Sequence, residues 1–158
     1  MIRLQKRIVR RKKNLFFLFI NRFIKAGYKD YIYINFLIVL IKLKRIYNYS
    51  FDGLLNCILN YIKPLVELRP KFSSGLIYYL PVPIKEHKSV VLGLSWLVKA
   101  TYKRFEVTFQ EKLFMELDCI LELETKEYSR SHVSIYKEEY YNTVLENRVL
   151  LYRFKKKF

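Results

Sequence analysis

Lys88, Ser95, Lys99 and Lys103 follow one another at intervals of 7, 4 and 4 residues, which sets them in one stripe if the segment is helical. Ammonium groups in a row make and break no bonds. They neutralise a row of anions, and phosphates are the anions that come in rows. Lys85 stands just before the stripe, Arg69 and Lys71 alternate on a short segment upstream, and Lys25 and Lys29 flank Gly27. Taken alone, the stripe is equally the solvated face of an ordinary helix.

The wider distribution of charge weighs against that plainer reading. Residues 1–50 hold 13 Lys/Arg against the single acid Asp30, and residues 63–104 hold eight against Glu67 and Glu86. The sign reverses over 105–152, with ten acids and five bases, and residues 153–158 add four more bases. A formal net charge of +16 exceeds the roughly 2–8 that keeps a small domain soluble. It implies a polyanionic partner, either nucleic acid or an anionic membrane surface.

Other chemistry is poorly supported. The carboxylates of "ELDCILELE" and "KEEYY" lie at helical spacing among Leu and Lys, with no partner His and no glycine loop, so they read as solvated helix faces. No glycine motif that could cradle a phosphate is present. Cys57 and Cys119 form no CxxC pair and read as buried, reduced thiols, while His87 and His132 stand alone. No metal, no cofactor and no enzymatic activity are expected. Tyr78, Tyr79 and the many Phe residues could stack on bases, although with 17% aromatics most of them must serve the core.

The longest uncharged helical run, Tyr31 to Ile41, is far shorter than the roughly 18–20 residues of a membrane span. The N-terminus (Arg3, Lys6, Arg7, Arg10, Arg11, Lys12, Lys13) lacks acids as a transit peptide does, but it also lacks serine and reads as an RNA-binding arm. The abundance of Tyr, Phe and Ile beside only 2 Ala, 4 Gly and 4 Pro matches codons rich in A and T, and points to an AT-rich organellar genome.

The elements that must hold these groups can be read from periodicity. Leu15, Phe16, Phe19, Ile20 and Phe23 mark a first helix, with Asn14 as its cap and Gly27 as its stop. A second helix spans Asp30 to Tyr47. A third starts at Ser50 or Asp52, buries Leu54, Leu55, Ile58 and Leu59, and is bounded by Pro64. Val66 and Leu68 alternate with Glu67 and Arg69, Ser73, Ser74 and Gly75 make a turn, and "LIYYLPVP" returns. Pro70, Pro81 and Pro83 confine this hairpin to a two-stranded ribbon, which needs support from the helices or from a partner. A fourth helix over "SVVLGLSWLVKATYKRF" is expected to bury Val91, Leu94, Val98 and Tyr102. A fifth covers about Thr108 to Thr125 and a sixth about Ser134 to Leu151. The fold expected is mainly α: a bundle of about six helices with a projecting two-stranded β-hairpin arm and basic terminal extensions. By domain this gives a basic arm over 1–13, a helical domain over 14–154 with its hairpin at about 64–83, and a basic tail over 155–158.

At the hairpin, "KPLVELRPKFSSGLIYYLPVP" resembles the signature of the small-subunit ribosomal protein seven family. Pro64, Val66, Glu67, Arg69, Lys71, Gly75, Tyr78 and Pro81 fall in register, and Trp96, Ala100 and Arg104 continue it in "LGLSWLVKATYKR". "FINRFIKAGYK", "LFMEL" and "LENRVLLYRF" are similar to further family segments, so the resemblance extends over about residues 19–154. Departures from the pattern are Ser74 for the first glycine of a pair, Phe72 for a basic residue at the tip, Ser95 for an arginine beside the tryptophan, and Ala26 for an aspartate.

The resemblance implies a helical body with a β-arm that binds the small-subunit rRNA head early in assembly. It also implies an arm reaching toward the tRNA exit site, so the expected partners are that rRNA, neighbouring small-subunit proteins and, transiently, exit-site tRNA and mRNA. No homo-oligomer is expected. The location implied is the mitochondrial ribosome, with the plastid as the alternative. The rRNA contacts expected are the N-terminal arm, Lys25, Lys29, Arg69, Lys71, Lys85, Lys88, Lys99, Lys103 and Arg104, together with Arg153, Lys155, Lys156 and Lys157 of the tail. Phe72, Ser73, Ser74, Gly75 and Tyr78 are expected to make the contacts of the hairpin tip. The acidic fifth helix should face solvent or a protein, because phosphates repel it. The rival from another class is a peripheral membrane protein that lays its basic arm and aromatic helices on anionic lipid.

Overall fold

The computed structural model describes residues 15–122 and 131–155. Helix α1 covers residues 15–23 of the described chain. It is followed by α2 (Lys29–Tyr47), α3 (Phe51–Ile62), β1 (Val66–Ser73), β2 (Leu76–Pro83), α4 (Glu86–Lys103), α5 (Phe109–Glu122), α6 (His132–Glu146) and α7 (Arg148–Lys155). The protein is mainly helical with one antiparallel hairpin, as expected. The sixth helix of the sequence reading is broken at Asn147, so that α6 and α7 are separate elements. Asn14, the residues of the N-terminal arm and the last turn expected for the fifth helix lie outside the described residues.

Local chemistry sets the helix ends. Ser50, rather than Asp52, caps α3 by accepting from the Gly53 N–H at 3.1 Å. At α5, Thr108 and Glu111 form a reciprocal box: Thr108 Oγ1 accepts from the Glu111 N–H, and Glu111 Oε2 accepts from the Thr108 N–H. Ser131 caps α6 through the Ser134 N–H. Helix α1 stops before a turn in which both Ala26 and Gly27 take positive φ.

The core joins Phe19, Ile20 and Phe23 of α1 to Phe36, Leu40 and Leu43 of α2, and to Leu54, Leu55, Ile58 and Ile62 of α3. Phe36 receives the rings of Phe16, Phe19 and Phe23 around it. The face expected for α4 is not the one that is buried. Of the face predicted for α4, only Leu94 is fully buried. The buried side carries Ser89, Gly93, Trp96, Leu97, Ala100 and Thr101 instead. Small residues let neighbouring backbones approach: a Cβ on Gly93 would lie 2.7 Å from the Ile62 carbonyl oxygen at the end of α3.

The acidic fifth helix keeps Glu111 exposed, as expected, but turns Glu116 inward. It packs against α2, α3, α4 and α6, burying Leu113, Leu117, Ile120 and Leu121. Its acids are consistent with this position because Glu116, at 0% exposure, has partners inside. The two thiols, expected to be buried, are half-buried instead.

The hairpin pairs Ser73 with Leu76 across a two-residue turn, and Val66 with Pro83 at its open end. Ser74 (φ 51) and Gly75 (φ 79) both lie in the left-handed region, as a tight hairpin turn requires. Hydrogen-bonded pairs alternate along such a ladder. Counted from the turn, Pro70, Pro81 and Pro83 all fall in non-hydrogen-bonded pairs, so their missing N–H groups leave no gap. The ladder continues beyond the strands through the Ile84 N–H donating to the Leu65 carbonyl.

Candidate nucleic-acid interface

Helix α4 organises the basic surface. At its N-terminal end Lys85 precedes the first turn, and the Ser89 hydroxyl donates to the Pro64 carbonyl at 2.6 Å, fixing the hairpin root to the helix. Glu67 on β1 is nearly buried between two cations, Arg69 beside it on the hairpin and Lys88 Nζ at 3.7 Å on α4. The Arg69 guanidinium holds the Glu67 carboxyl below the usual carboxylate range, against the opposing effect of burial, and Lys88 adds to the lowering. Arg69 and Lys88 are thereby brought together from two different elements. Both remain exposed.

At the C-terminal end of α4, Tyr102 receives Lys25 Nζ from the turn after α1, 3.6 Å from its ring centroid. Lys103 Nζ lies 5.4 Å from the Tyr136 ring of α6. Lys99 and Lys103 are exposed, as is Lys29 at the start of α2, while Ser95 is half-buried and donates to the Leu92 carbonyl. Along about 27 Å of an 18-residue helix, α4 therefore joins hairpin bases at one end to bases of the α1–α2 turn at the other.

Arg104 does not belong to this surface. Its guanidinium is almost wholly covered and pairs with Glu116 (2.6 Å) and Glu106 (3.0 Å), with the Met115 carbonyl as a further acceptor. Burial lowers its proton affinity, but Glu116, Cys119 and Glu106 more than offset that and leave its pKa raised. Glu116 uses its other oxygen to accept the Val133 N–H at the start of α6. Arg104 thus ties α4, α5 and α6 together and does not present its charge to a ligand.

Tyr78 is likewise turned away from the tip. It is half-buried, with its ring 5.4 Å from Phe154 of α7, and Lys71 Nζ lies 4.8 Å from that same ring. Phe72 is 73% exposed, and Ser74 and Gly75 are exposed beside it. Arg153 and Lys155 belong to α7. Arg3, Lys6, Arg7, Arg10, Arg11, Lys12, Lys13, Lys156 and Lys157 lie outside the described residues.

The residues that seat the hairpin were not anticipated. The Leu68 N–H faces away from β2 and donates to Tyr140 Oη at 3.0 Å, while the Leu65 N–H donates to Tyr141 Oη at 3.0 Å. Tyr140 also packs against Trp96, centroids 5.1 Å apart. These contacts join residues more than 70 positions apart, so no local pattern could have shown them; the adjacent tyrosines in a half-buried helix were the only available hint. Among the described residues no group of three or more His, Cys, Asp or Glu could hold a metal ion, and no helix is long and apolar enough to cross a membrane.

Residues 3–129 match the model of the family described as Ribosomal protein S7p/S5e. The chain belongs to this family. The match takes in the hairpin, α4 and α5, and ends before α6. Among curated relatives, small ribosomal subunit protein uS7 of Pelagibacter ubique is 39% identical over 59 residues, 37% of this chain and 38% of that protein. The protein of the same name from Borrelia duttonii is 37% identical over 62 residues, 39% of this chain and 40% of that protein. That from Helicobacter hepaticus is 41% identical over 56 residues, 35% and 36% of the two chains. These alignments span well under two thirds of each relative's length.

Proposed function

We propose that this protein is a structural constituent of a small ribosomal subunit. In this reading it binds the head region of the small-subunit rRNA through the surface organised by α4, and performs no catalysis. The observation that carries the reading is the arrangement of charge in a ribosomal-family chain. Lys85, Lys88, Lys99 and Lys103 are exposed along α4 with Lys25, Lys29 and Arg69 at its ends, whereas Glu106 and Glu116 are turned to the covered Arg104, and the acids at the hairpin end are outnumbered by bases, Glu67 lying between Arg69 and Lys88 and Glu86 against Lys63. Phosphates would meet a surface of net positive charge, with Glu106 and Glu116 held away from it by Arg104. Contacts of this kind set position, and RNA shape sets specificity.

The finer features of the proposal are an early role in assembling the head domain, a hairpin tip near exit-site tRNA and mRNA, and residence in an organellar ribosome, the mitochondrial one first. The support for the organelle is compositional: Tyr, Phe and Ile far outnumber Ala, Gly and Pro.

Replacing Lys99 and Lys103 with Ala tests the surface. If both contact phosphates, the slope of log K against log salt for a head-domain rRNA fragment falls by about 0.7–0.9 per lysine. An unchanged slope would return the stripe to solvent.

A further inference from the structure

The apolar run Tyr31 to Ile41, too short to cross a membrane, is not used up by the core. Helix α2 buries Ile32, Phe36, Val39, Leu40 and Leu43 on one side. On the opposite side Tyr31, Ile34, Ile38 and Ile41 form a second stripe at i, i+3, i+7 and i+10, exposed by 56%, 55%, 37% and 42%. Lys42 and Arg45 follow at the C-terminal end of the same face. Both are exposed, and neither is ion-paired within the described residues. A helix apolar on both sides ordinarily has a partner on both sides.

The chemistry of the stripe selects among partners. Three of its four apolar side chains are isoleucines, which offer no π-face to a base and no donor to a phosphate, so RNA would lose hydration there without compensation. A second copy of this chain would bring its own net positive charge against Lys42 and Arg45. An aliphatic protein surface fits the isoleucines, and carboxylates fit the two cations.

We propose that the outer face of α2 is a protein-docking ledge for a neighbouring small-subunit protein that presents an aliphatic segment with Asp or Glu at one end. From Tyr31 to Arg45 the ledge is about 21 Å long, roughly four turns of a partner helix. This inference rests on the ribosomal reading above.

The test places a photo-crosslinking amino acid at position 38 of the full chain, allows assembly into small subunits, irradiates, and identifies adducts by mass spectrometry. The expected adduct is a protein segment rich in Leu, Ile or Val with an acidic residue beside it. Lys42→Glu with Arg45→Glu should lower its yield at least fivefold while the chain remains in the subunit. An adduct to rRNA, to lipid or to a second copy, no intermolecular adduct, or a yield indifferent to the charge reversal would overturn the proposal. A chain absent from the subunits would instead overturn the ribosomal reading and this inference with it.

Discussion

Ser74 occupies a position that a side chain tolerates poorly. Its φ of 51 in the hairpin turn costs an L-residue about 1–2 kcal/mol relative to glycine, and only part of that is recovered from the smaller entropy serine loses on folding. Ser74→Gly should therefore raise stability by about 0.5–1 kcal/mol, read as a rise in melting temperature of about 2–4 °C per kcal/mol. A lowered melting temperature would mean that Ser74 makes a compensating contact. Titration behaviour is fixed at the same scale. Arg69 holds the Glu67 carboxyl below its ordinary value of 4.5. For Glu106 burial acts the other way, but its own backbone N–H and Arg104 prevail and depress it too. A depressed native pKa means that the unfolded chain takes up protons first as the pH falls. The stability these two carboxylates contribute is thus present above about pH 4.5 and is lost as the pH drops through their native values. Urea midpoints measured from pH 7 to pH 3 should decline in the acid range, and Glu67→Gln with Glu106→Gln should flatten that decline. An equally steep decline in the double variant would assign the acid lability to other groups.

The hairpin shows how an element is held when its own ladder is too short. Tyr140 and Tyr141 of α6 accept from the two N–H groups at its root, and α7 covers one side of it through Phe154. Removing both acceptors with Tyr140→Phe and Tyr141→Phe should cost about 1–3 kcal/mol, mainly for the part-buried Leu68 N–H left without a partner. Hydrogen exchange should accelerate across β1 and β2 while α2 and α3 keep their protection; uniform acceleration would show that the hairpin and the body unfold as one. The existence, type and bounds of this element were legible from alternation, prolines and turn residues, since these are local. Its seating was not, because it depends on side chains far along the chain. Helix α4 gives the complementary case. Its presence was clear from apolar spacing, but its buried side was misread because Ser89, Gly93, Ala100 and Thr101 pack by being small, which a search for large apolar residues passes over.

At the scale of the whole fold, the packing of helices decides which of the charges around α4 stay exposed. The acids of α5, read from the sequence as an outward face, include the buried Glu116 that anchors Arg104, and so one of the cations expected to reach RNA is internal. The sequence pattern could not separate Arg104 from Lys103, its neighbour, because burial is decided by how α4, α5 and α6 meet. The exposed bases on α4, the α1–α2 turn and the hairpin were legible individually. That one helix connects them is a property of the fold. Contact between these bases and rRNA phosphates is the central claim, and the most direct measurement is the affinity of the full chain for a small-subunit head-domain rRNA fragment over a salt series, with anionic vesicles run in parallel. Such contact predicts tight binding to the fragment, a log–log salt slope steep enough for several phosphate contacts at about 0.7–0.9 each, and little retention on the vesicles. A flat slope on the rRNA fragment, or vesicle binding with no affinity for the fragment, would contradict it.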